Sequence, residues 1–181
     1  MITYLILITL FFMIFLDYYT YKKIREDIRI LPANLLLQDE DYYYYSIKSS
    51  FHQTGLIFFN VLINEKTYTF LIDSGANVNL LDTCLYNELK KANKVIDTNN
   101  QTQVGFHENP TEIANNVELN FKLIDILYTN ISFLVTSCSA FNIKETYNID
   151  LHGILGGAFL KEQGWIINYE KLIVKIPKIK E

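Results

Sequence analysis

The stretch FLIDSGANVNLLD, residues 70–82, ends an apolar run in a carboxylate and follows Asp73 at once with Ser74, Gly75 and Ala76. A carboxylate can take or give a proton in a reaction, so Asp73 is the candidate general base or acid of the chain. The competing reading is a plain turn, because Asp and Ser cap backbone amides and Gly accepts a positive φ. Few other residues offer chemistry. Cys84 and Cys138 are too few and too far apart in sequence for a CxxC metal site, and the three histidines form no HExxH. Both thiols read as small buried hydrophobes. No Gly-rich phosphate loop and no internal repeat occur. His107 and His152 read as turn histidines rather than as pH-sensing neighbours of the acid.

The elements around Asp73 are β in texture. GLIFFNVLI and YTFLI, separated by the polar break NEKT, predict a hairpin over residues 56–72 that delivers Asp73 to a strand end. Next, DTCLYNELKKANK offers Asp82 or Thr83 as N-cap of a short helix with Leu85 and Leu89 on one face. QTQVGFHENPTEIANNVELNF predicts two strands joined by a polar tip around Gly105 to Pro110. IDILYTNISFLV and LIVKI read as strands, GGAFLKEQG as a short helix with Gly at both ends, and WIINY as a further strand. The sum is a mostly β domain with one or two short helices.

Sixteen Lys and Arg against 20 Asp and Glu give a net charge of -4, which argues against a nucleic-acid partner. With half of its 181 residues apolar, the chain can bury one ordinary core. Residues 1–16 carry no charged side chain, Tyr18, Tyr19 and Tyr21 suit a membrane interface, and Lys22, Lys23, Arg25 and Arg29 follow. This pattern predicts an uncleaved N-terminal transmembrane or signal-anchor helix over residues 1–21, with the domain that follows on the cytoplasmic side. Residues 22–49 read as a juxtamembrane connector and 50–181 as the domain. The tetra-tyrosine run Tyr42 to Tyr45 reads as the start of a strand. The sequons at Asn100 and Asn130 matter only outside the cytoplasm.

The surroundings of Asp73 give the triplet more weight than it has alone. Three apolar residues, Phe70, Leu71 and Ile72, precede Asp73, and far downstream GILGGAFL makes a second apolar turn into a helix. This pairing resembles the retropepsin-like (retroviral-type) aspartic proteases, in a non-viral, single-domain form with an N-terminal membrane anchor. The resemblance covers about residues 50–177. It implies a single β-barrel domain, the acid-protease half, and no metal or other cofactor.

The same resemblance implies an aspartic endopeptidase acting on a peptide or protein substrate. Two carboxyls a few ångströms apart share a proton, so one serves as base on a water and the other as acid to the carbonyl oxygen. The chain has one such triplet, so the second acid would come from a second copy, with one Asp73 from each subunit of a homodimer. By the same analogy Ser74, Gly75 and Ala76 support the active-site loop, and Gly105, Phe106 and His107 belong to a flap over the substrate. Gly156 sits in the turn beneath the loop. Many non-viral relatives carry Asp where Ala158 and Asn168 stand here, and the flap has one glycine. The alternative reading is a catalytically silent module for dimerisation or peptide binding.

Overall fold

The computed structural model describes residues 12–19, 31–104 and 112–178. The chain divides into two units, residues 1–30 and 31–181. In the first, residues 12–19 are helical. Among the described residues no helix is long and apolar enough to cross a membrane.

The second unit is mostly β. Its strands are β1 (Asn34–Gln38), β2 (Tyr42–Ser46), β3 (Ile57–Ile63), β4 (Lys66–Asp73), β5 (Leu80–Asp82), β6 (Val95–Val104), β7 (Glu112–Leu123), β8 (Ile126–Thr136), β9 (Gly153–Gly156), β10 (Ile166–Asn168) and β11 (Ile173–Pro177). The expected hairpin is β3–β4. Its two-residue turn, Asn64 and Glu65, has φ of 49° and 67°, the doubly positive geometry that matches the twist of paired strands.

Seven strands run in the order β3-β4-β9-β5-β8-β7-β6, and a pairing of Leu62 in β3 with Lys122 in β7 closes six of them into a barrel. Closure removes the sheet edges, leaving β6 as an arm paired only to β7. Inside, Phe70, Phe121 and Phe133 are all but inaccessible and meet ring to ring at 6.1–6.4 Å. Phe159 and Tyr128 extend the cluster. Such aromatic contacts add about 0.5–1.5 kcal/mol each beyond area burial.

Phe70, Leu71 and Ile72 are all buried, so β4 is covered on both faces, which is why it reads as a continuous apolar run rather than an alternating one. The β4–β9 pairing is parallel and sets Asp73 opposite Gly156.

A second sheet has the order β1-β2-β11-β10. The tetra-tyrosine run is strand β2, as its aromatic character predicts. Part of the stretch read as a connector is therefore β structure: residues 34–38 and 42–46 pair with each other, and β2 pairs with β11. Interleaved charge and a proline masked the pattern. The signal is weak in β1 because Leu35, Leu36 and Leu37 lie exposed on an edge strand.

Short helices number more than the one or two expected. Besides Thr83–Lys91 and Gly157–Glu162, residues Lys48–Thr54 and Ile143–Tyr147 are helical. KSSFHQT has no apolar period to announce it. Tertiary contacts hold it: Ser50 is fully buried with its Oγ donating to the Ile47 carbonyl at 3.3 Å, and Phe51 packs on Tyr169. The cysteine expectation holds for Cys138, which is buried, and fails for Cys84, which is exposed in the first turn of a helix that buries Leu85 and Leu89 instead.

Candidate active site

Asp73 is the last residue of β4, half-buried, where the chain leaves the barrel wall. The Gly75 N–H donates to Asp73 Oδ1 at 2.9 Å and the Ala76 N–H to the Asp73 carbonyl at 3.1 Å, so the three residues after the acid fold back on it. A Cβ on Gly75 would stand 3.3 Å from that carboxylate oxygen and crowd it. Ser74 is exposed beside it. No charged residue lies between Asp73 and Asp82.

The turn around Gly156 packs directly on this loop. The Gly157 N–H donates to the Ala76 carbonyl at 2.7 Å. A Cβ on Gly156 would come within 2.5 Å of the Val78 carbonyl oxygen and 2.8 Å of that of Ala76, and one on Gly157 within 2.5 Å of the Ser74 carbonyl oxygen. Glycine stands at both positions because two backbones touch there.

Asp82, offered by the sequence as one of two caps, does more than cap. Its Oδ1 accepts from the Cys84 N–H at 2.8 Å, while Oδ2 accepts from the Cys138 N–H at 2.9 Å. It thus ties the helix start to the chain leaving β8. Burial, with the Asp82 charge nearby, pushes the Cys138 thiol up to about 12, so it holds no thiolate near neutral pH and is no nucleophile. His152 accepts the Thr69 N–H on Nδ1 at 3.2 Å and packs edge-on to Tyr68, a structural role rather than that of the solvated turn histidine the sequence suggests.

Gly105, Phe106 and His107 lie outside the described residues. The arms that lead to them are described: β6 and β7 pair in register as far as Val104 opposite Glu112. The pairing shifts between Asp97 and Gln101. Just before that shift the Asp97 carboxylate accepts from the Tyr86 hydroxyl at 2.9 Å and pairs with Lys90 Nζ at 2.8 Å, fastening the arm to the Thr83–Lys91 helix.

Those two bonds, Lys90 first and Tyr86 second, hold the Asp97 carboxyl below its ordinary range. A carboxyl with a depressed folded-state value stabilises the fold fully above its unfolded value, near pH 4, and loses that contribution as the pH falls through the folded value. We therefore expect Asp97→Asn to lower the melting temperature near pH 7, with the gap to the parent chain closing below about pH 4. Thermal unfolding of both chains across that range checks it, and a gap independent of pH would disprove it.

A residue that motif reasoning passed over is Asn79, whose side chain accepts from the Gly156 N–H at 2.9 Å and donates to the Ser132 carbonyl at 3.0 Å. Its only signal in the sequence is an asparagine set between Val78 and Leu80. Asn79 also lines a cleft of about 480 Å³ with Asn77, Val78, Asn116, Ala158 and Glu162. The arrangement presents one carboxylate per chain, anchored through Gly75, at the end of a barrel strand.

No protein-family model matches the sequence, and no curated protein matches it. Solved structures do. The chain is similar to a retropepsin-like aspartic protease from Rickettsia conorii, at 17% identity over 81% of this chain and 97% of that one, with a TM-score of 0.50. It is also similar to the retroviral protease-like domain of Ddi1 from Leishmania major, at 16% identity over 68% and 90% of the two chains, with a TM-score of 0.50. The fold is that of the retropepsin-like aspartic proteases.

Proposed function

We propose that this retropepsin-like barrel is an aspartic endopeptidase, active as a homodimer in which each chain contributes one Asp73. The observation that carries the reading is the Asp73 loop itself: a half-buried carboxylate at the end of β4, held on one oxygen by the Gly75 N–H and packed against the Gly156 turn. Peptide hydrolysis without a metal or a nucleophilic side chain needs one carboxylate as base on the attacking water and one carboxylic acid to protonate the carbonyl oxygen. Two carboxyls within a few ångströms share one proton and fill both roles. One chain supplies half of this pair, and a two-fold axis beside Asp73 supplies the other half.

In this reading Ser74 ties the two loops together across the axis, Ala76 carries the bonds that hold the loop, and the β6–β7 hairpin bears the flap residues Gly105, Phe106 and His107. The uncharged run at residues 1–16 and the basic residues after it support a membrane anchor over residues 1–21, with the protease domain cytoplasmic. Confinement to a bilayer raises the local concentration of protomers and favours the dimer.

The test is cleavage of a mixed peptide library by the full chain between about pH 4 and 7, over a range of protein concentrations. Specific activity should rise with concentration and level off as the dimer fills. Activity that is constant per chain at every dilution would sink the shared site. A demonstrably dimeric chain that binds peptides and cuts none would point to a silent binding module instead.

A further inference from the structure

We propose that Asn79 is the residue that positions the Asp73 loop, an inference that rests on the protease reading above. Its planar amide does two things at once. Oδ1 accepts the Gly156 N–H at 2.9 Å and Nδ2 donates to the Ser132 carbonyl at 3.0 Å, while its main-chain carbonyl accepts the Leu134 N–H at 2.9 Å. From Gly156 the connection is short. Gly156 lies opposite Asp73 in the parallel pairing, the Gly157 N–H donates to the Ala76 carbonyl, and the Ala76 N–H donates to the Asp73 carbonyl. A connected path of hydrogen bonds and main chain thus runs from β8 through one side chain to the backbone of Asp73, whose carboxylate the Gly75 N–H holds.

The chemistry of the position explains why the residue is an amide. It must present an acceptor to one backbone group and a donor to another from a single flat head, which neither an aliphatic chain nor a carboxylate can do. An Asp would keep the acceptor for Gly156 but would set a second acceptor against the Ser132 carbonyl, unless protonated. The position is half-buried and borders the cleft of about 480 Å³, so shortening the side chain opens it to that cleft instead of hollowing the aromatic core. Asn79 therefore does not touch the reacting atoms. It acts through Gly156.

The experiment uses the full chain, its Asn79→Ala and Asn79→Asp variants, peptide cleavage, and amide hydrogen exchange read by NMR. Losing this lock should lower kcat about tenfold while KM stays within about twofold, the scale set by one hydrogen bond with its partners left unpaired. The Gly157 and Ala76 amides, which bond to the loop and not to Asn79, should exchange about tenfold faster, and the buried Phe59 in β3 should be unchanged. Asn79→Asp should lose activity near neutral pH and recover relative to the parent as the pH falls through the carboxyl range, because the protonated acid regains a donor.

Wild-type kcat in Asn79→Ala, or unchanged Gly157 and Ala76 exchange, would overturn the proposal. A parent chain that cuts nothing would overturn the protease reading alone, and the exchange arm would still decide whether Asn79 holds the loop.

Discussion

Replacing Asp73 by Asn should reduce kcat for peptide cleavage by at least about a thousandfold, with the fold and melting temperature nearly unchanged. The amide oxygen of Asn can still accept the Gly75 N–H that now reaches Oδ1 at 2.9 Å, so the loop keeps its shape. What is lost is proton transfer. An amide is neither a base for water nor an acid for the carbonyl oxygen, and general acid-base catalysis by a positioned group contributes about 10²–10⁴-fold per group.

The shared site makes a sharper form of the test. Mixing the parent chain with a threefold excess of Asp73→Asn, under conditions where subunits exchange, should leave about a quarter of the parent's activity, because most parent chains would then sit in mixed dimers. Activity untouched by the excess would mean that each chain works alone. A variant that still cleaves at the parental rate would remove Asp73 from the mechanism altogether.

Gly156→Ala should be among the most damaging single-methyl changes in the domain. The new Cβ would have to share space with the carbonyl oxygens of Val78 and Ala76, at 2.5 and 2.8 Å, and these are backbone atoms that cannot swing aside as a side chain would. Relief requires the β9 turn and the Asp73 loop to separate, which lengthens the Gly156 bond to Asn79 and the Gly157 bond to Ala76. Overpacking of this kind costs about 3 kcal/mol, or a fall of roughly 10 °C in melting temperature for a domain of this size. Cleavage should fall with it even at temperatures where the variant remains folded, since the displaced element carries the carboxylate. Denaturant and thermal unfolding decide the first part. A variant as stable as the parent would show that the contact between the two turns is looser than its geometry implies.

The two replacements differ in how visible their targets are in the sequence. Asp73 is legible because its neighbours are extreme: three consecutive apolar residues before it and three small ones after it admit few structures besides a buried strand ending in a tight turn. Gly156 is legible only as the second half of that pattern. Asn79 is not legible. An asparagine between Val78 and Leu80 fits a turn as well as a lock, and its importance lies in partners 53 and 77 residues away. The short helix at Lys48–Thr54 and the strand at Asn34–Gln38 escaped for the same reason. Neither has a periodic apolar face, so neighbours that are remote in sequence decide their conformation.

By itself, then, the sequence determined the local frame: that the long apolar and aromatic runs from Leu56 onward are strands, where the Asn64–Glu65 turn must fall, which helix buries Leu85 and Leu89, and that Asp73 terminates a buried strand. These follow from side-chain period, β-branching and turn chemistry, which act over a few residues. Only the tertiary structure decided that β4 and β9 run parallel with Asp73 facing Gly156, that β3 meets β7 to close the barrel, and that Asn79 joins the two turns to β8. Pairing between distant strands is selected by the joint packing of one aromatic core and by the satisfaction of backbone groups across it, and no window of sequence contains both halves of such a contact.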